Sequence, residues 1–180
     1  MSALTSGLVV LDGAIGYALG GGALVTPADW SRPTPCAAWD LATLVDHVAD
    51  SMGVLHEALG PGPAGPIAAQ DPVARLRAQA SRLLAVCAAA GPVRIGDREL
   101  PVGVVAVTGA LEIAVHAWDI WSACGVRRPI PPGLAIVLQP VAPLLLPACV
   151  REGLFADPVP LTGSVEPADK LLAFLGRQSF

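Results

Sequence analysis

The chain has 180 residues, 53% of them apolar and only 14% charged, against roughly 25% charged in an ordinary soluble domain. That length fits one domain spanning 1–180, and the apolar content excludes disorder because there is ample surface to bury. Fifteen acidic residues against eleven basic ones, ten of the latter arginine, leave a net charge of −4, and a mildly acidic chain without a basic stripe is a poor match to nucleic acid.

The predicted elements follow in chain order. Leu4 to about Leu19 is mostly apolar and reads as a first helix, broken by Gly20-Gly21-Gly22. Thr26 to Trp39 holds three prolines and reads as a loop. Asp40 is a good N-cap for a helix to Leu59, with Leu41, Leu44, Val45, Val48, Met52 and Leu55 at helical spacing. Asp71-Pro72 repeats that signal, with proline at the first helical position, and opens a third helix to about Ala90. Val93 to Leu100 is a small hairpin or an irregular loop. A fourth helix runs from about Gly103 to Cys124 with Gly125 as its cap. A fifth covers roughly Gly133 to Val150, and after extended coil a short last helix covers Asp169 to Leu175. Aromatic residues are only 4% of the chain, so the core is aliphatic, which suits helix-on-helix packing. The fold class expected is all-α, a helix bundle with short to medium loops.

A mean hydropathy of +0.60 raises the membrane question. The uncharged run Pro101–Leu111 is too short to span a bilayer, and Pro129–Val150 contains Pro131, Pro132, Pro140, Pro143 and Pro147 and reads as a buried, kinked segment. No basic region precedes the first apolar stretch and Asp12 interrupts it, so neither a secretory leader nor a membrane span is expected. Cys36, Cys87, Cys124 and Cys149 form no Cys-x-x-Cys pair. They read as buried free thiols in a reducing cytoplasm.

The fourth helix carries the chemistry. From Pro101 to Gly125 its strongly polar ionisable residues are Glu112, His116 and Asp119. At roughly 100° per residue, Glu112 and His116 lie about 40° apart and Glu112 and Asp119 about 20° apart, so all three share one stripe. A helix otherwise apolar all round is normally buried, and buried carboxylates need an arginine, a hydrogen-bond network or a cation. The Glu-x-x-x-His spacing, which sets a carboxylate and an imidazole one above the other, favours a metal ion. A third ligand would come from His47 or His56, which face opposite sides of the second helix. His47 sits beside the ridge of Leu44, Val48 and Met52, whereas His56 neighbours Glu57 near the helix end and reads as a solvated residue. His47 is the better candidate, with a core histidine bonded to a backbone carbonyl as the other reading.

The segments Thr34-Pro35-Cys36-Ala37-Ala38-Trp39 and Leu44-Val45-Asp46-His47, then Glu112-Ile113-Ala114-Val115-His116-Ala117-Trp118-Asp119, then Leu171 to Arg177, resemble in order three blocks of the actinobacterial DinB-like proteins. These are close to the N-terminal domain of mycothiol-dependent maleylpyruvate isomerase. The resemblance implies an up-down-down-up four-helix bundle, here with an additional short C-terminal helix, that holds a divalent metal on His47, Glu112 and His116. Zinc is the default, with nickel or iron compatible with the same donors. Asp119 then orients His116 or a metal-bound water, or is a buried aspartate bonded to a neighbouring helix or an arginine. The implied activity is metal-dependent activation of a low-molecular-weight thiol, with mycothiol as the precedent, for transfer to an electrophilic small molecule. Arg32, Arg75, Arg82, Arg127 and Arg128 are available to bind that thiol. A lyase, hydrolase or isomerase without a thiol, and a non-catalytic binding protein, are the other functions considered. Isomerases of this type carry an extra C-terminal domain, for which the residues after Val150 are too few, so isomerisation is not the reaction expected. An apolar substrate and a homodimer complete the expectations.

Overall fold

The computed structural model describes residues 3–147 except 37, 61, 64, 70, 88–92 and 96, and residues 155–178 except 162, 164 and 165. Six helices and one two-stranded hairpin are seen among the described residues. They are α1 (Ala3–Gly22), α2 (Leu41–Leu59), α3 (Pro72–Cys87), β1 (Val93–Ile95), β2 (Arg98–Leu100), α4 (Val102–Ala123), α5 (Pro132–Leu145) and α6 (Pro167–Phe174). The predicted ends of α3 and α5, at Ala90 and Val150, lie outside the described residues, as does Cys149.

Local chemistry explains where the helices begin and end. The Asp40 carboxylate accepts from the Thr43 N–H at 2.9 Å, and Asp71 accepts from the Ala74 N–H at 2.8 Å. Each is an N-cap of the kind that contributes about 1 kcal/mol. Helix α4 ends as its glycine predicted. Gly125 has φ +74°, with Gly125 N–H on Ser122 and Val126 N–H on Trp121, the paired bonds of a Schellman cap. Val93 to Leu100 is the hairpin, with Val93 opposite Leu100 and Ile95 opposite Arg98.

The directions of the helices follow from which residues meet. Gly7 lies against Gly103 and Gly21 against Ile120, so α1 and α4 run parallel. Gly109 is filled by Leu55, and His47 meets Glu112, so α2 is antiparallel to α4. Gly53 faces Gln79 and Gly60 faces Val86, so α2 and α3 are parallel. The result is an up-down-down-up bundle, an all-α fold as expected. Two parallel neighbours require a crossover. The 16 residues of α3 rise about 24 Å at 1.5 Å per residue, and residues 60–71, extended at about 3.1 Å each, have more than that reach. Arg82 donates to the Gly65 carbonyl at 2.7 Å and ties this crossover to α3.

Contact with backbone sets how closely α1 and α4 approach. A Cβ on Gly7 would stand 2.8 Å from the Cα and carbonyl oxygen of Gly103. Helix α5 lays Leu134 against Gly13 of α1, and α6 packs on α5, burying Leu171, Leu172 and Leu175. Helix α4 is long and apolar enough to cross a membrane by length and composition, but most of it is buried inside the bundle.

Candidate metal centre

The crossing of α2 and α4 builds the site at one end of the bundle. Leu44, Val45 and Val48 pin α2 in the core, which turns His47 toward α4. Its Nε2 lies 2.8 Å from Glu112 Oε1. His116, one turn after Glu112, places its own Nε2 3.3 Å from the same oxygen. The two imidazoles meet edge to face, 87° apart with centroids at 4.9 Å. Two ring nitrogens and one carboxylate oxygen therefore converge, with donor atoms within 4.8 Å of one another, close enough to hold one ion. His47 and Glu112 are each one-third exposed, whereas His116 is 8% exposed. The group is open on one side and closed behind.

The closed side is a polar network. His116 Nδ1 lies 3.1 Å from Asp119 Oδ2. Asp119 is fully buried, and Arg177 forks onto it, with Nη2 to Oδ2 at 2.8 Å and Nε to Oδ1 at 3.3 Å. The Cys36 thiol donates to Asp119 Oδ2 at 3.3 Å and lies 3.7 Å from His116 Nδ1. Asp119 is thus bonded to an arginine and also faces the outer nitrogen of His116.

The loop before α2 supplies the roof. The Thr34 hydroxyl lies 3.0 Å from the Cys36 carbonyl and 2.9 Å from the Trp39 carbonyl, and it accepts from the Cys36 N–H. That turn aims Cys36 behind His116 and sets the Trp39 ring 4.4 Å from His47 and 5.8 Å from His116.

The electrostatics follow from the contacts. Burial would raise the Glu112 carboxyl, but hydrogen bonds from His116 and His47 outweigh it and hold Glu112 well below the carboxylate range. Burial opposes a charge on His116, yet bonds to Asp119, Cys36 and Glu112 push the imidazole up to about 11. Asp119, despite its burial, is held low by His116 and Arg177. Without an ion, a proton on His116 is the cation between two carboxylates.

The donor set fits a divalent metal. Its chemistry is the nitrogen and oxygen mixture such ions take, and the outer nitrogen of His116 rests on a carboxylate, the arrangement that fixes a ligating histidine. A second group, Cys36, His116 and Asp119, also has donors close enough for an ion, but Arg177 Nη2 already stands 2.8 Å from Asp119 and 3.3 Å from Cys36 Sγ. A cation there would meet a guanidinium.

Several sequence expectations need correction. His56 is half-buried rather than solvated, and its Nδ1 is buried with no hydrogen-bond partner among the described residues. Cys36, Cys87 and Cys124 are free but half-buried rather than buried. Of the arginines singled out for a thiol, Arg32 pairs with Asp29, Arg75 with Asp46 and Asp50, and Arg82 with Gly65, while Arg128 lies over Trp121. Arg177, given no role, reaches the site instead, as do Cys36 and Trp39. All three stand in the sequence blocks already noted. The missed signal was a lone arginine after the final glycine of an apolar helix.

Residues 17–121 match the family model of the mycothiol maleylpyruvate isomerase N-terminal domain, which takes in His47, Glu112 and His116. Two proteins of Mycobacterium tuberculosis, uncharacterized protein Rv0738 of strain H37Rv and uncharacterized protein MT0763 of strain CDC 1551, are each 33% identical over 155 residues, 81% of this chain and 83% of their own. No solved structure matches the chain.

Proposed function

The chain belongs to the mycothiol maleylpyruvate isomerase N-terminal domain family, and on that footing we propose that it is a metal-dependent enzyme that transfers a low-molecular-weight thiol of the mycothiol type to an electrophilic small molecule. One observation carries the reading: two imidazole nitrogens meet one oxygen of Glu112, 2.8 and 3.3 Å away, at a rim where His47 and Glu112 are one-third exposed. A structural zinc site is closed by four protein ligands, whereas three ligands at an accessible rim leave room for a substrate.

His47, Glu112 and His116 would hold the ion, zinc by default. When bound it would supply the positive charge that lowers the pKa of a thiol beside it. The protein's own part is positional. Glu112 joins the two imidazoles, Asp119 holds the outer edge of His116, and Trp39 gives an apolar wall beside both rings. That wall suits a flat, apolar acceptor with a polarised double bond, across which the thiol would add: the S–H bond breaks, the sulfur bonds the electron-poor carbon, the π pair takes up the proton at the other end, and nothing leaves. The free cysteines suit a reducing compartment, the cytoplasm.

The test is conjugate formation, followed by mass spectrometry, with zinc-loaded protein, mycothiol and a panel of polar and polycyclic electrophiles. The expected result is turnover that needs both the metal and the thiol and is lost in His116→Ala. Turnover that persists without the thiol would contradict thiol transfer. Turnover equal in His116→Ala would contradict the site.

A further inference from the structure

Among the described residues, the buried polar and charged side chains are His116, Asp119 and Arg177, and they form one line of contacts. The first two belong to α4. The third arrives from the far end of the chain, beyond residues 17–121 that the family model matches. Burying an arginine is unfavourable unless its donors are met, and here they are. Nη1 donates to the Leu175 carbonyl at 2.8 Å, Nη2 and Nε take both oxygens of Asp119, and the guanidinium carbon stands 5.4 Å from the centre of the Phe155 ring.

The backbone is equally specific. Gly176 N–H bonds Ala173 and Arg177 N–H bonds Leu172, a Schellman cap that turns the chain out of α6 toward α4. Gly176 has φ +77°, and a Cβ there would lie 2.7 Å from Ala156. A non-glycine residue would have to strain or shift this turn, so the cap fixes where Arg177 starts and Asp119 fixes where it ends.

We propose that Arg177 is a positioning residue for the metal centre: it clamps Asp119 so that the carboxylate holds His116 by Nδ1 with Nε2 turned to Glu112 and His47. Its own charge also occupies the Cys36–His116–Asp119 group and directs a metal ion to the opposite edge of the ring. Asp119 Oδ2 has three neighbours, Arg177, His116 and Cys36. Removing the strongest donor frees the carboxylate to swing, and His116 loses its fixed direction. This inference rests on the reading that His47, Glu112 and His116 hold an ion.

The experiment measures zinc affinity by chelator competition in the full chain and in Arg177→Ala and Arg177→Lys, with the Nδ1–H proton of His116 followed by NMR in metal-free and zinc-loaded protein. Loss of an outer partner of a ligating histidine weakens metal binding by about 10–100-fold, and that loss is expected in Arg177→Ala, with a smaller one in Arg177→Lys, which keeps the charge but not the fork. The Nδ1–H signal should shift or broaden in both states. Millimolar guanidinium should restore affinity to Arg177→Ala, and methylammonium should not. Circular dichroism identifies a variant that has failed to fold, in which case Arg177→Lys decides. Wild-type affinity with an unchanged Nδ1–H signal would overturn the proposal. So would a loss of affinity that guanidinium does not recover while that signal stays unchanged. If the wild-type protein takes up no zinc, the metal reading fails by itself, and the metal-free Nδ1–H signal still decides whether Arg177 positions Asp119.

Discussion

Glu112, His116 and Asp119 form a carboxylate–imidazole–carboxylate row whose charges set a pH dependence. His116 is held above its ordinary value of 6.5, at about 11, so its stabilisation is whole below 6.5 and is lost as pH rises through about 11. Glu112 is held below its ordinary 4.5, and Asp119 is also held low. Their contribution is whole above 4.5 and is lost toward strong acid. The metal-free protein should therefore melt highest between 4.5 and 6.5 and at falling temperature from there toward about pH 10, measured by calorimetry across buffers. A melting temperature that is flat or rises over that alkaline range would contradict the row. These three residues were legible because a 3.6-residue period puts them on one stripe of an otherwise apolar helix. His47 was separable from His56 because they face opposite sides of α2. The contact of Arg177 with Asp119 was not legible from periodicity, which ties no residue in a terminal turn to a helix 58 positions earlier. The burial of His56 was missed for a related reason: α2 packs α3 on one side and α4 on another, so it has little truly wet face.

Elements were read well where a cap and a period agreed. Asp40 and Asp71 begin α2 and α3 as expected, and Gly125 ends α4. The parallel course of α2 and α3 was not derivable from local signals, because residues 60–71 are long enough either to turn back or to cross over. It came instead from the resemblance to other bundles. Likewise, the closeness of α1 and α4 is invisible in a hydropathy pattern but is set by Gly7 on Gly103. Gly7→Val should push the two helices apart, since the neighbour is backbone that cannot rotate away, and should destabilise the protein by about 1–3 kcal/mol. Gly16→Ala, at an exposed position with nothing within 4 Å of the new Cβ, should be neutral or stabilising by up to about 1 kcal/mol. Urea unfolding of both variants checks the pair. Equal stability in the two would refute close packing at Gly7.

At the scale of the whole molecule, a very apolar chain buries its longest apolar helix at the centre of a bundle and interrupts it with one polar stripe. The high mean hydropathy belongs to that arrangement. Helix α2 brings His47, the loop before it brings Cys36 and Trp39, and the C-terminal turn brings Arg177, so segments far apart in sequence meet around α4. The claim on which the rest depends is that His47, Glu112 and His116 share one ion, which must displace the proton His116 carries without it. Calorimetric titration of zinc into metal-free protein, repeated near pH 8 in buffers of different ionisation enthalpy, measures both quantities at once. The account predicts one ion per chain, about one proton released per ion bound, and no such binding in His116→Ala. Zinc that does not bind, or that binds His116→Ala equally well and without releasing a proton, would contradict it.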